Sequence, residues 1–525
     1  MSVKIYNILR AIYLYVRLVF DLAVDYFFSF YWETNKRTVP ALDKKHALLT
    51  ESAVTLAKKI KQKELKSEDL VKAVIERIKL VNPTINAIAV ERYDAALAEA
   101  KEVDALIEKG LPEDEAAKKP FLGVPFTTKE SQAVKGMALT MGLWCRRNEV
   151  ATEDSEAVKR LKDAGAIIVA STNLPEALVW QETRNPVYGM SNNPHHSGRT
   201  PGGSSGAEAA LTASCGTVIS LCSDIGGSTR MPAFYCGMFG HHPTPGTTDL
   251  KGVFFRSGED KDSMLALGFI SKHVEDLAPL TKVVAGEKAG QLKLDREVNI
   301  KDIKFYYMET SKDLMVSTIR ADLRGAMKRV LTRISQQATT TENAPQPYYH
   351  RGFNHMYNIW KHWMTKEGDE MAKIVTNHKG QANGLIELVK KTVGMSQYCL
   401  FTIVRLIEEQ YLPKVDPEWA EKISNELKED LLKKLGDNGV LLMPSAPQPA
   451  PYHYSCFMRP YNFAYWAIVN ALKCPATQVP LGVNSEGLPL GIQVVAAPYN
   501  DALCLTVADY LGKEFGGAVR ACNFK

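Results

Sequence analysis

The chain alternates helical and strand-like hydrophobic patterns from about residue 51 onward. Apolar residues recur at helical spacing up to a glycine stop signal, and a short unbroken apolar run then follows, which is typical of a buried strand. This order recurs along the chain and indicates an α/β architecture. The clearest predicted elements are helices at 155–165 and 207–215 and strands at 166–170, 217–222, 440–443 and 491–496.

The first 35 residues have a different pattern. Residues 5–32 are dominated by Ile, Leu, Val, Tyr and Phe. A helix of that length, at about 1.5 Å per residue, reaches across a hydrocarbon layer of roughly 30 Å. Its four charged side chains fall on one narrow stripe of the helix surface. The stripe consists of Arg10, Arg17, Asp21 and Asp25.

We therefore expect residues 1–35 to form a hydrophobic membrane-anchor helix. It would either lie in the interface or span the bilayer with its polar stripe against a partner. A cleaved signal peptide fits poorly, because the stretch is too long, contains acids and lacks a small-residue cleavage site. The alternative is a helix packed on the protein's own body. The segment ends in aromatic residues that resemble an interfacial belt, namely Phe27, Phe28, Phe30 and Trp32.

A less regular region at 344–413 contains large apolar residues at helical spacing. The pattern favours an amphipathic helix that faces the core. The alternative is a lid or an acyl-chain channel. The residues are Phe353, Met356, Tyr357, Trp360 and Trp363.

Composition narrows the classes of function. The chain has 525 residues, of which 45% are hydrophobic and 23% charged, and this is ordinary globular composition. Its length allows about three domains or one large α/β domain. The net charge of +5 is spread along the chain, so no nucleic-acid partner is expected. The nine cysteines include no C-x-x-C pair that could begin a zinc or redox site.

Two Gly/Ser loops bracket one predicted helix and strand. The first spans 202–206 and contains Ser204, and the second spans 224–228 and ends in Ser228. Glycine has no Cβ, so it lets backbone approach a substrate and lets N–H groups converge on an anion. Upstream, a turn ends in Lys129 and delivers it toward an interior site. Taken singly, such a loop is more often a turn and such a lysine a surface charge.

Other kinds of site fit these residues poorly. The first loop matches G-x-S-x-G, but a polar Pro/Gly loop precedes Ser204 in place of the strand that an α/β-hydrolase elbow requires. Neither loop is followed by the Gly-Lys-Ser/Thr of a phosphate-binding Walker motif. The adjacent histidines lack a third ligand for a metal ion, so they are interpreted as structural or surface residues and no metal site is expected. They are His195, His196, His241 and His242.

Three motifs together resemble the amidase-signature family. They are G-V-P-x-x-x-K ending at Lys129, P-G-G-S-S-G at 201–206 and D-I-G-G-S-x-R-x-P at 224–232, in the family's order and spacing. Similar residues continue over about 50–515. The resemblance implies one catalytic domain over these residues, with an α/β fold and a central mixed sheet flanked by helices.

Within the family, the runs at 240–246, 487–495 and 515–517 most resemble the fatty-acid amide hydrolases of type 2. This implies a membrane-associated serine hydrolase that cleaves long-chain fatty-acid amides to fatty acid and amine. The expected partners are a small-molecule amide or lipid substrate and a membrane, expected to be an internal one. A homodimer is compatible with the resemblance, and the sequence does not set the oligomeric state.

The resemblance also assigns chemical roles. Ser228 is the nucleophile, and neutral Lys129 takes a proton through Ser204. No metal or organic cofactor enters this scheme. A free lysine has a pKa of about 10.4, so Lys129 must be buried for desolvation to lower its pKa. The family also places a cis peptide bond before the position of Ser204. The oxyanion hole would consist of the backbone N–H groups of Ile225, Gly226, Gly227 and Ser228.

A few positions depart from the common family pattern. Ala207 replaces a glycine, and Ser223 stands where many members have Thr; both replacements are expected to leave activity intact. His241-His242 replaces x-Lys in the common run G-x-K-P-T, and Thr247 replaces an Arg that often follows. These two changes leave open any substrate contact made from that loop.

Three other functions remain open. A soluble small-amide hydrolase and an amidotransferase subunit share the signature, but the N-terminal hydrophobic segment argues against both. A catalytically silent lipid-binding protein would keep the fold. The intact set of Lys129, Ser204 and Ser228 argues for catalysis instead.

Overall fold

A computed structural model describes residues 3–254, 256, 262–338 and 344–525. Its strands are β1 (Ile88–Glu91), β2 (Pro125–Lys129), β3 (Ile167–Thr172), β4 (Arg184–Asn185), β5 (Gly189–Met190), β6 (Ile219–Asp224), β7 (Phe239–His242), β8 (Ala266–Ser271), β9 (Lys304–Tyr307), β10 (Gln346–Pro347), β11 (Gly439–Pro444), β12 (Ala476–Val483) and β13 (Pro489–Ala496).

Eleven of these strands form one central sheet, and β4 pairs with β5 separately. The strand order is β1-β3-β2-β6-β8-β7-β12-β13-β11-β9-β10. β2 runs parallel to both β3 and β6, and β9 runs parallel to both β10 and β11. The other neighbours are antiparallel. The predicted central mixed sheet is therefore confirmed.

The α-helices are α1 (Val3–Trp32), α2 (Ala53–Lys61), α3 (Ser67–Ile85), α4 (Tyr93–Lys109), α5 (Glu113–Lys118), α6 (Glu156–Asp163), α7 (Gly206–Ala213), α8 (Arg230–Tyr235), α9 (Leu277–Ala285), α10 (Ala321–Gln337), α11 (Met356–Met364), α12 (Met371–Ile374), α13 (Gly384–Thr392), α14 (Leu400–Tyr411), α15 (Pro417–Leu435), α16 (Ala464–Ala471) and α17 (Asp501–Phe515).

These helices cover the sheet. α17 and α8 pack on β12 and β13, α9 packs on β8, and α4 and α6 pack on β3. Strands β3, β6 and β11 are buried along their whole length, as expected for strands covered on both faces. The apolar side chains of helices and sheet merge into one large core. The catalytic region is thus a single α/β domain.

The strongest sequence predictions are confirmed with small shifts at the element ends. The predicted helix at 155–165 is α6, whose first turn is capped by the Ser155 hydroxyl accepting from the Val158 N–H. It stops before Gly165, which has a φ of +87° that glycine adopts readily. The predicted helix at 207–215 and strand at 217–222 are α7 and β6.

The region at 344–413 is mostly helical. Phe353, Met356, Tyr357 and Trp360 are buried in the main core and Trp363 is half-buried, so the predicted core-facing helix is confirmed. The lid or acyl-chain channel stays a prediction. In the same region, α13, α14 and their connection expose Leu385, Ile386, Val389, Val393, Met395, Leu400 and Val404.

Helix α1 confirms the predicted N-terminal helix, and its polar stripe faces the protein body. Asp25 pairs with Arg459 at 2.6 Å, and Arg17 lies 3.5 Å from Asp21 while donating to the Ser317 hydroxyl at 3.4 Å. The alternative prediction, a helix packed on the protein's own body, is therefore confirmed for the charged side of α1. The other side exposes apolar residues, among them Ile5, Ile8, Leu9, Ile12, Val16, Leu22, Phe27 and Phe30.

Across the ranges 3–254, 256, 262–338 and 344–525, no helix combines the length and the apolar character needed to cross a membrane.

Candidate active site

Strand β2 delivers Lys129 to the interior, as predicted. Lys129 is the last residue of β2, pairs in register with Thr172 of β3 and is fully buried. Its Nζ donates to the Ser204 Oγ at 2.5 Å and to the Ser223 Oγ at 3.0 Å. Burial lowers the pKa of Lys129 to about 7, against an opposing effect of the nearby Asp224 and Glu208. A large neutral fraction is therefore present near neutral pH.

The first serine loop is held by backbone contacts that require its glycines. A Cβ on Gly203 would lie 2.1 Å from the Trp180 carbonyl oxygen, so a larger residue cannot fit there. The Thr183 hydroxyl donates to the Gly202 carbonyl at 2.8 Å. The Gly203–Ser204 peptide bond is cis, which confirms the expectation from the family resemblance.

The second serine loop connects β6 to α8 and carries Ser228. It is tied to the first loop by the Ser205 N–H, which donates to the Ser228 carbonyl at 3.1 Å. Ser228 is half-buried, whereas Ser204 is 2% exposed. The structure thus brings Lys129 and Ser204 into direct contact and joins the two loops. The transfer of a proton from the Ser228 hydroxyl to that of Ser204 stays a prediction.

The Asp224 carboxylate accepts hydrogen bonds from the backbone of the second loop. Its Oδ1 accepts from the Gly227 N–H at 2.8 Å, and its Oδ2 accepts from the Thr229 N–H at 3.2 Å. The sequence predicts that the Gly227 N–H faces an oxyanion, whereas in the structure it donates to Asp224. Ile225, Gly226 and Ser228 remain the predicted oxyanion donors. Gly227 instead permits close packing, because it has a φ of +105° and a Cβ there would lie 2.4 Å from the Trp466 Cβ.

Arg230 neutralises Asp224. The guanidinium donates to both carboxylate oxygens at 3.0 Å, and to Gln493 at 2.7 Å and Asn470 at 2.6 Å. Burial alone would raise the pKa of Asp224, but the charge of Arg230 and hydrogen bonds from Arg230 and the Asn470 amide hold it well below its usual range. The carboxylate is therefore charged at neutral pH and can keep accepting the loop's N–H groups.

Ser223 makes a contact that the sequence does not predict, and the expectation that Ser in place of Thr leaves activity intact stays a prediction. Its hydroxyl is the second acceptor of the Lys129 Nζ. Together with Ser204 it fixes where the amine points.

Glu208 contacts β2, the strand that ends in Lys129. Its carboxylate accepts from the Thr127 hydroxyl at 2.6 Å and the Thr172 hydroxyl at 2.8 Å, and from that of Ser220. Burial raises the pKa of Glu208 to about 7. The hydroxyl groups of three neighbouring strands thus converge on one buried carboxyl group behind Lys129.

The histidine pairs make contacts typical of structural residues. His195 bonds the Cys236 carbonyl and His241 bonds Thr477, and burial lowers the pKa of His195 to about 4 and that of His242 to about 3. His196 lies 2.9 Å from Glu33, just beyond α1. Within the described ranges, no group of three His, Cys, Asp or Glu side chains is arranged to hold a metal ion.

Sequence reasoning missed Asp224, Arg230 and Trp360 as well as the Ser223 contact. Asp224 and Arg230 stand inside the third motif, where two charges among glycines are a usable signal of a buried pair. The helical spacing of Trp360 places it in the core, but its indole N–H also donates to the Ile225 carbonyl at 2.9 Å. That contact depends on tertiary packing and has no local sequence signal.

Comparison with known proteins identifies the family of the chain. The Amidase family model matches residues 69–505. The human fatty-acid amide hydrolase 2 is 41% identical over 485 residues, which cover 90% of each chain. The fatty-acid amide hydrolase 2-A of Danio rerio is 36% identical over 482 residues, again 90% of each chain. A solved structure of a fatty acid amide hydrolase has a TM-score of 0.69 at 20% identity, covers 91% of this chain and 87% of that one, and shows the likeness of fold.

Proposed function

Because the chain belongs to the amidase family, we propose that it hydrolyses long-chain fatty-acid amides at a membrane surface, through an acyl-enzyme on Ser228. That it is an amidase follows from the family. The substrate class, the membrane association and the roles of single residues are proposed. The observation that carries the chemistry is the contact between the buried Lys129 amine and the Ser204 hydroxyl.

The proposed reaction begins with proton transfer. The Ser228 hydroxyl attacks the amide carbonyl carbon while its proton passes to Ser204, whose own proton passes to the neutral Lys129 amine. The proton then returns through Ser204 to the departing nitrogen, and the C–N bond breaks. Water hydrolyses the acyl-enzyme and releases the fatty acid. Backbone N–H groups of the second loop stabilise the oxyanion.

The membrane association is supported by the way α1 is oriented. A helix on the surface of a soluble domain buries its apolar side, but α1 turns its charges inward and its apolar residues outward. Val16, Leu22 and Phe27 are 59%, 61% and 71% exposed. An apolar face of this kind is stable when lipid covers it. With its charges paired to the body, α1 would lie along the membrane surface.

A second exposed apolar surface lies on α13 and α14. The turn Ser455–Met458 contacts α1, and its Phe457 packs on Trp180 with ring centroids 5.0 Å apart. Trp180 in turn stacks on Phe401 of α14 at 5.5 Å. This buried aromatic cluster connects α14 with the turn that contacts α1. The exposed apolar residues of α13 and α14 are proposed as a second membrane-facing surface, from which an acyl chain could enter.

A substrate panel tests the proposal. The purified full-length chain is assayed with primary amides of acyl chains from two to twenty carbons, presented in phosphatidylcholine vesicles. We expect kcat/KM to rise with chain length, because each buried methylene contributes about 0.8 kcal/mol. Equal turnover of acetamide and long-chain amides would instead indicate a soluble-substrate amidase or an amidotransferase-type subunit. Failure of a fluorophosphonate probe to label Ser228 would indicate a silent lipid-binding protein.

A further inference from the structure

Trp360 of α11 contacts the loop that precedes the proposed nucleophile. Its indole N–H donates to the Ile225 carbonyl oxygen at 2.9 Å. The same ring lies against the next residue, since a Cβ on Gly226 would be 3.0 Å from the ring Cζ2 atom. Trp360 therefore touches both sides of the peptide unit that joins Ile225 to Gly226.

The planarity of that peptide unit couples the Ile225 C=O to the Gly226 N–H. In a planar trans peptide the C=O and the following N–H point in opposite directions. A hydrogen bond that fixes the Ile225 C=O therefore also fixes the direction of the Gly226 N–H. We propose that Trp360 is a positioning residue, which aims the Gly226 N–H at the oxyanion. This inference rests on the proposed role of the second loop.

The loop depends on such outside support. Gly226 and Gly227 have no side chains with which to anchor themselves. Asp224 holds the Gly227 N–H, and the Trp466 side chain packs against Gly227. Neither contact restrains the orientation of the peptide before Gly226. The hydrogen bond from Trp360 does so, and oxyanion stabilisation requires donors that are already oriented before the charge develops.

Trp360 is itself held rigidly. Its ring meets Phe463 edge-on, with centroids 4.9 Å apart and an interplanar angle of 85°. Tyr357, one turn earlier on α11, lies 6.2 Å from the same ring. The position of the indole N–H is thus set by packing between α11 and the residue that precedes α16. Because the indole N–H is held in one position, its hydrogen bond also holds the Ile225 carbonyl in one position.

The test compares two tryptophans of the same helix. Trp360→Phe removes the N–H and keeps an aromatic ring. Trp363→Phe is the matched control, because its indole N–H donates to the Ser424 hydroxyl at 3.2 Å, away from the loop. We measure kcat and KM on one chromogenic amide. Inhibition is measured with a long-chain trifluoromethyl ketone, which forms an oxyanion on the serine, and with the matching alcohol, which does not.

We expect Trp360→Phe to lower kcat about 10- to 100-fold with little change in KM. It should lower the affinity for the ketone by a similar factor and leave the affinity for the alcohol unchanged. Trp363→Phe should alter neither kcat nor either affinity. Unchanged kcat and ketone affinity would overturn the inference. So would an equal loss for ketone and alcohol, which indicates a role in the substrate pocket.

Two further measurements keep the outcomes distinct. If Trp360→Phe does not fold, benzothienylalanine at position 360 replaces the N–H by sulfur and keeps the shape of the ring, and the same results are expected. Labelling of Ser228 by a fluorophosphonate in the unaltered protein tests the proposed function separately. Labelling without any effect of the Trp360 variants would reject only the positioning role.

Discussion

Asp224 and Arg230 form a fully buried ion pair inside the loop that carries Ser228. Arg230 Nε lies 3.0 Å from Asp224 Oδ2, and Nη2 lies 3.0 Å from Oδ1. Two planar groups that meet through two hydrogen bonds fix each other's orientation. The lone pairs that remain on the carboxylate accept backbone N–H groups of the loop. The pair thus organises the loop without taking part in the reaction.

We predict that Arg230→Gln destabilises the protein strongly. It leaves the Asp224 carboxylate buried without its cation, and removing one partner of a buried pair typically costs about 3 to 5 kcal/mol. The measurement is the urea concentration at the unfolding midpoint, together with the rate of fluorophosphonate labelling. Arg333→Gln is the control, because its pair with Glu514 is at the surface and its loss should change little. Equal midpoints for both variants would contradict the prediction.

We predict that the apolar side of α1, rather than its mere presence, binds membranes. Replacing Val16, Leu22 and Phe27 together by Gln should release the protein from anionic vesicles in a flotation assay, because it removes apolar area without touching the buried charges. Hydrolysis of a short soluble amide should persist. Deleting residues 1–35 is a less specific test, since it also removes the partner of Arg459.

The control for membrane binding uses exposed apolar residues elsewhere on the body. The triple replacement of Val54, Leu80 and Val483 by Gln should leave flotation unchanged. Release by this control as well would show that lipid binding is not specific to α1. Continued flotation of the α1 variant would mean that other surfaces suffice.

The sequence predicted those parts of the fold that local patterns determine. The helix α6 and the strand β3 follow from apolar periodicity and a glycine stop, and both form where expected. The strand order of the central sheet could not be predicted from local patterns. It depends on contacts between residues far apart in the chain, such as the pairing of β6 with β8 and of β12 with β7.

The candidate site, like the fold, was predicted only in those parts that sequence motifs determine. Lys129, Ser204 and Ser228 stand in three motifs, and the resemblance of these motifs to the amidase signature predicts that the three residues share one site. The partners of these residues depend on three-dimensional packing. The Ser223 hydroxyl meets Lys129 because β6 lies beside β2, and Trp360 meets Ile225 although 135 positions separate them.

We predict that Ser223→Ala shifts the acidic limb of the pH-rate profile to lower pH. A hydroxyl that accepts from the amine favours the charged form of Lys129, so its loss lowers the pKa of the lysine further. Ser271→Ala, on the neighbouring strand β8, is the control and should leave the limb in place. A limb that moves to higher pH in Ser223→Ala would contradict this account of the site.

We predict different losses for the two serines. Ser228→Ala should abolish formation of the acyl-enzyme, because no other residue is proposed to attack. Ser204→Ala should leave a slow residual rate, since the nucleophile and the oxyanion donors remain. The measurement is mass spectrometry of the intact protein after incubation with an activated ester. An acyl adduct on Ser228→Ala would reject the assignment of the nucleophile.

In the unaltered protein, the rate should rise with pH through a pKa near 7. Burial lowers the pKa of Lys129 to about 7, so the amine is protonated below that value and unable to accept the first proton. Above it, the neutral fraction approaches one and the rate levels off. The measurement is kcat/KM on one chromogenic amide between pH 5 and 9. A limb near pH 4 would reject Lys129 as the titrating base, whereas a limb near pH 7 is assigned to Lys129 rather than to Glu208, whose pKa is also raised to about 7, by the lysine replacement below.

Replacement of the lysine completes this test. Lys129→Met fills the same buried space without an amine, and we expect the rate at neutral pH to fall by about 10² to 10⁴, the usual contribution of a general base. Single Gln replacements of His195, His196, His241 and His242 should leave the acidic limb near pH 7. His195, His196 and His241 bond groups away from the two serines. His242 contacts Asn470 and lies 4.0 Å from Asp224, and its contacts are thus with the support of the second loop rather than with a serine. If instead the limb vanished in one histidine variant and persisted at near-normal rate in Lys129→Met, that histidine would be the base and the lysine only a structural residue.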